Sequence, residues 1–191
     1  MSEPRSLFVK ASFMPMQFEH FMEAEPSQPV LDAMWQAWWQ SREMSGKMAL
    51  TQDALTATRA RCYRDYVQAW LDEPSAAAFS RYHVDTLTWT FGITLFSENY
   101  LELLPMLAML VDLGNYRCAT AILPDDFALV YPFFWGDSDV MAYLCYGEGQ
   151  TRIDPTVNDL SQIPEAQVAL ASKRLGEHWQ TIEATFNSQP D

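Results

Sequence analysis

Glycine is scarce in this chain. Its 191 residues include only seven, at positions 46, 92, 114, 136, 147, 149 and 176. Neither GxGxxG nor GxxxxGKS/T can be assembled from them. Backbone cradles for pyrophosphate need such glycines, because only a residue without Cβ lets the main chain close on the phosphates. A nucleotide-dependent enzyme is therefore disfavoured, and "GEG" at 147–149 reads as a turn.

Cysteine is scarcer still. Cys62, Cys118 and Cys145 are widely spaced and form no CxxC and no Cys/His cluster. An odd, sparse count fits a reducing compartment, so the cytoplasm is the expected location. HExxH and clustered zinc-ligand spacings are missing too, and neither a metal nor a cofactor is expected. Long apolar runs are also absent. The longest, Leu103 to Val111, contains Pro105 and is closed by Glu102 and Asp112, far short of the ~20 residues of a membrane span. The opening "MSEPRSLFVKASF" alternates instead of forming the continuous apolar core of a signal peptide.

Positive charge is the last shortage. Twelve Lys and Arg stand against twenty-five Asp and Glu, a formal net charge of −13. Nucleic acid is disfavoured as a partner, since affinity for it comes from Lys and Arg displacing counterions from phosphates. Anionic membrane surfaces are disfavoured for the same reason. A basic protein partner is favoured, with its approach accelerated by long-range attraction. The same charge also serves plain solubility.

What is present is core material: 49% hydrophobic and 14% aromatic residues against 19% charged. This length predicts one domain over 1–191, burying roughly 70% of the unfolded chain's surface. "SLFVKASF" alternates as a strand. A short helix is expected around Phe18 and Phe21. Leu31, Met34, Trp35, Trp38 and Trp39 fall at i, i+3, i+4, i+7 and i+8, a helical stripe. A second helix is expected from Thr51 to Asp72, and a short helical turn over Ala76–Tyr82. "VDTLTWTFGITLF" reads as a strand and "ENYLELLPMLAMLVDLG" as a helix. "RCATAIL", "FALVYPFFW" and "VMAYLCYG" read as a meander joined by the turn-rich "PDD" and "GDSD". Pro132 suggests an edge or a bulge there. A last helix carries Val168, Leu175, Trp179, Ile182 and Phe186. The expected class is α+β: an antiparallel sheet, N-terminal strand plus C-terminal meander, with helices packed on one face.

Candidate functional residues cluster between Cys118 and Leu160. The acids there are Asp125, Asp126, Asp137, Asp139, Glu148, Asp154 and Asp159, against Arg152 alone. The meander puts the pairs Asp125/Asp126 and Asp137/Asp139 at opposite ends of the sheet, so they do not converge on one metal or acid/base site. Asp and Ser are ordinary turn residues. Phe133, Phe134, Trp135, Tyr143 and Tyr146 come from the same region, and aromatic anchors inside an acidic rim suit an interface for a basic partner. The candidate partner-binding residues are Asp125, Asp126, Phe134, Trp135, Asp137, Asp139 and Glu148. No candidate catalytic residue emerges: GxSxG is absent, and nothing in sequence pairs with His20, His83 or His178. Arg59, Arg61 and Arg64 read as a solvated helix face paired with Asp53 or Asp65.

Small, acidic, single-domain and without a catalytic motif, the chain resembles in profile the bacterial immunity proteins that neutralise a cognate toxin. That resemblance implies a non-enzymatic inhibitor sequestering a basic protein such as a toxin, and it transfers no site residue. Two other readings stand beside it. One is a small hydrolase or transferase whose carboxylate or histidine site is scattered in sequence. The other is a homo-oligomer built on the Trp-rich helix over 31–39; monomer and homodimer both remain open.

Overall fold

Leu7, Val9, Ala11 and Phe13 point to one side of the first strand and Phe8 to the other, and all five are fully buried. A strand buried on both faces belongs in the middle of a covered sheet. The computed structural model describes residues 4–44, 46–97, 99–117, 125–147 and 150–187, and it places β1 (Arg5–Ser12) at the centre. The other strands are β2 (Ala78–His83), β3 (Thr88–Phe96), β4 (Phe127–Tyr131), β5 (Ala142–Gly147) and β6 (Gln150–Ile153). They form one six-stranded sheet in the order β2-β3-β1-β4-β5-β6. Neighbours are antiparallel throughout.

Among the described residues, five α-helices cover this sheet: α1 (Pro15–Glu23), α2 (Ala33–Gln40), α3 (Tyr63–Leu71), α4 (Tyr100–Leu113) and α5 (Glu165–Asn187). The α+β architecture expected from the sequence is thus observed. The expectation that all helices share one face is not. Helices α1 to α4 bury their stripes against Leu7, Val9, Phe91, Ile93, Val130 and Leu144. Helix α5 lies on the opposite face, where Ala171 and Leu175 pack with Phe8, Phe127, Leu129, Tyr131 and Tyr143. Strands that are apolar on both sides demand this second cover, since each buried large apolar side chain is worth about 1.5–3 kcal/mol.

The tryptophan stripe is core. Trp35, Trp38 and Trp39 are 2%, 0% and 5% exposed, and Trp38 Nε1 donates to Met141 O at 3.0 Å. These three tryptophans fill the chain's own core and are not the exposed apolar surface that an oligomer interface on that helix would use. Three other expectations also change. The helix expected from Thr51 begins only at Tyr63, because Thr58 Oγ1 accepts from Ala60 N and Cys62 is extended; side-chain bonds of this kind compete with the helix ladder. Leu55 still reaches the core from the loop. The turn expected at 76–82 is instead strand β2, paired with β3 from Ala78↔Ile93 to His83↔Thr88. Pro132 lies at no edge: β4 sits between β1 and β5 and simply ends at Tyr131. "RCATAIL" falls almost entirely outside the described residues.

Candidate functional site

Proline cannot continue a central strand, so at Pro132 the chain leaves the sheet and returns only at Ala142. Phe133, Phe134 and Trp135, expected at a strand end, belong to this connection. Gly136 turns it with φ +68°, a conformation an L side chain adopts only with strain. The far half is stitched to residues 158–161. Val140 N donates to Asn158 O at 2.9 Å and Leu160 N to Ser138 O at 2.8 Å. Ser138 Oγ donates to the Asp159 carboxylate, which also accepts from Ser161 N and Oγ at 2.9 and 2.6 Å. The Ser138 bond, then those from Ser161, hold the Asp159 carboxyl down at about 2.

The near half carries aromatic surface. Phe133 packs over Gly176 of α5, 3.8 Å from the position a Cβ there would take. Phe134 meets Trp179 of α5 edge to face, with centroids 5.0 Å apart, and Trp179 Nε1 donates to Glu183 at 2.8 Å. Phe134 is nonetheless 36% exposed and Trp135 51%. Asp137 and Glu183 are exposed beside them. Asp139 is about half exposed and ion-paired to Arg5 at 2.8 Å. It borders a cleft of about 440 Å³ with Ser41, Arg42, Glu43, Met141 and Asn158. Arg42 is 4% exposed and spends Nη2 on the carbonyls of Val157 and Asp154 at 2.6 and 3.2 Å. Burial lowers its pKa, and Asp139 and Asp154 partly restore it. Arg42 Nε, Arg5 Nε and Arg5 Nη1 have no bonding partner among the described residues.

The seven residues singled out in the sequence do not form one surface. Phe134, Trp135, Asp137 and Asp139 come together on the connection after β4. Asp125 is exposed at the other end of that strand. Asp126 is no surface residue: its side chain is fully buried and ion-paired to Arg117 at 3.2 Å. It also accepts from Ser12 N and Oγ at 2.8 and 2.7 Å. A buried carboxylate spent on three internal donors has little left for a partner. Glu148 lies outside the described residues. The basic run is not one helix face, since Arg59 and Arg61 precede α3 and only Arg64 lies on it; the ion pair of Arg61 with Asp65 at 3.2 Å is as expected, while Arg64 reaches Glu19 at 2.6 Å.

Sequence reasoning missed one grouping. His83 and His178, 95 residues apart in sequence, line the same cleft between the β2–β3 hairpin and α5, together with Glu177. The signal is the alternation of Phe79, Arg81 and His83, which the alanines before it mask as a helical turn. Among the described residues, no three His, Cys, Asp or Glu side chains are grouped to hold a metal ion, and no helix is long and apolar enough to cross a membrane.

No family model matches the chain, and neither a curated protein nor a solved structure matches it.

Proposed function

We propose that this chain is a non-enzymatic acidic binding protein that docks a basic protein through the β4–β5 connection and the adjoining face of α5. One observation carries the reading: Phe134 and Trp135, adjacent in sequence, stay 36% and 51% exposed on a connection whose far half is bonded to residues 158–161. Aromatic anchors held on a prepared backbone are the residues that dominate binding energy at interfaces. Asp137 and Glu183 set negative charge around them, and the chain's net charge of −13 draws a cation from a distance. The profile shared with immunity proteins makes a toxin's basic substrate cleft the first partner to test.

The test is the association of this chain with a captured basic partner, followed by surface plasmon resonance at low and high salt. Association is expected to slow by about tenfold or more as salt screens the attraction. Trp135→Ala is expected to raise Kd about tenfold or more. Equal rates at both salts, together with an unchanged Kd for Trp135→Ala, would overturn the reading.

A second reading, a small hydrolase or transferase, draws support from His83, His178 and Glu177 sharing one cleft. A general base near a carboxylate is the minimum such chemistry requires. Turnover of a hydrolase substrate panel that disappears in His178→Ala would establish it. Equal turnover in that variant would remove it.

A further inference from the structure

Strand and helix periods interleave at the open end of the α5 face. Phe79, Arg81 and His83 alternate onto this face of β2, and Thr90 lies opposite Arg81 on β3. Arg174, Glu177, His178 and Thr181 follow at i, i+3, i+4 and i+7 along α5. Together these eight residues line a cleft of about 130 Å³. In a chain with twelve Lys and Arg and three His, the cleft gathers two arginines and two histidines.

We propose that this cleft binds a phosphate group, as inorganic phosphate or as the head of a small phosphate monoester. The charge balance points that way. Glu177 is the one acid lining the cleft, and it is already held by Arg174 at 3.1 Å and Lys173 at 3.9 Å. Arg81 has no carboxylate partner among the described residues. Its guanidinium lies over the Phe79 ring, 5.9 Å from the centroid, and the ring of His178 packs against Phe79 at 4.9 Å. Phe79 therefore fixes one cationic group and one imidazole side by side.

Groups that can bond a phosphate stand on both walls: the donors Arg81 and His83 on β2 and Arg174 on α5, with the ring of His178 beside Arg174. A planar carboxylate is satisfied by one fork. A tetrahedral phosphate presents oxygens to both walls at once, and the guanidinium geometry matches it. His178 adds a second element. Burial first, then the charge of Arg81, depress its pKa below the ordinary histidine value, against a bond to the Ala78 backbone that raises it. The neutral ring keeps a lone pair for the proton of a monoprotonated phosphate. Arg81 and His83 from β2, and Arg174 and Glu177 from its own helix, are the charged and titratable groups facing it. A bound dianion would offset the arginines and raise the His178 pKa.

This site is separate from the docking surface, and the two readings fail separately. The experiment follows the histidine ring protons of the full chain by NMR during titration with sodium phosphate. Sodium chloride at matched ionic strength is the control, and glycerol phosphate forms a second arm. Saturable shifts are expected at His83 and His178, with none at His20, which packs on Tyr116 elsewhere. Saturation by both ligands identifies a monoester site, and saturation by inorganic phosphate alone a free-phosphate site; either supports the proposal. Arg81→Gln is expected to weaken binding at least tenfold, and the exposed Arg174→Gln provides the same reading should the first variant fold poorly. In the complex, the His178 pKa should move up. Chloride shifts equal to those with phosphate, or unchanged binding in both arginine variants, would overturn the proposal.

Discussion

Phe79 seats its ring on Gly92, the residue it faces across the β2–β3 hairpin: a Cβ at position 92 would stand 2.4 Å from Phe79 Cε1. Leu175 of α5 closes the same spot at 3.2 Å. The missing side chain is thus what lets the strand, the ring and the helix share one contact. Gly92→Ala is expected to cost about 1–3 kcal/mol in urea denaturation, the usual penalty for an overpacked core. In a Phe79→Ala background the same change should cost much less, because the clashing ring is gone. Equal costs in the two backgrounds would contradict this contact.

Asp126 separates structural carboxylates from surface ones. Asp126→Ala removes the buried carboxylate that accepts from Ser12 N, Ser12 Oγ and Arg117 Nη1. The expected loss is about 3–5 kcal/mol, as for other broken buried pairs. Asp125→Asn and Asp137→Asn, at exposed positions, should change stability by less than about 0.5 kcal/mol. Chemical denaturation of the three variants side by side decides the matter.

Acid should loosen the stitch between the β4–β5 connection and residues 158–161. The Asp159 carboxyl titrates at about 2 when folded against an ordinary value of 3.8. A depressed carboxylate contributes stability that is present above 3.8 and is lost as pH falls through about 2. Carbon-detected NMR should find this group still ionised at pH 3. Ser138→Ala removes the largest cause of the shift and should move the titration upward.

Arg42 serves as a clamp between α2 and the segment after β6. Its Nη2 is shared by the Asp154 and Val157 carbonyls, so Arg42→Met leaves two acceptors without their donor. The expected cost is about 1–3 kcal/mol for each carbonyl that stays buried. Amide exchange is expected to quicken at Thr156 and Asn158 before it does in β1.

Much of the architecture could be read from spacing alone. The alternation in β1 and β3, the tryptophan stripe of α2 and the apolar run of α4 each repeat with the period of their element. Strand β2 escaped because "AAAFSRYH" combines alanines with a short alternation, and only pairing with β3 resolves it. The stretch from Thr51 escaped because Leu55 has a place in a helical stripe, yet it reaches the core from a loop. The candidate surface was half legible. Sequence order put Asp125/Asp126 and Asp137/Asp139 at opposite ends of β4, and summing their charges into one rim ignored that distance. Burial of Asp126 could not be read, since its partners Ser12 and Arg117 are set by the sheet. His83 and His178 meet only through folding.

The placement of α5 on the far side of the sheet has a further consequence. Helix α5 is fastened there by Ala171 and Leu175, while Thr181, Glu183, Ala184 and Thr185 further along it are exposed. Detaching it would bare Phe8, Phe127, Leu129 and Tyr131 in one cooperative event. Self-association under mild stress should then begin on this face, well before the tryptophan-lined half unfolds.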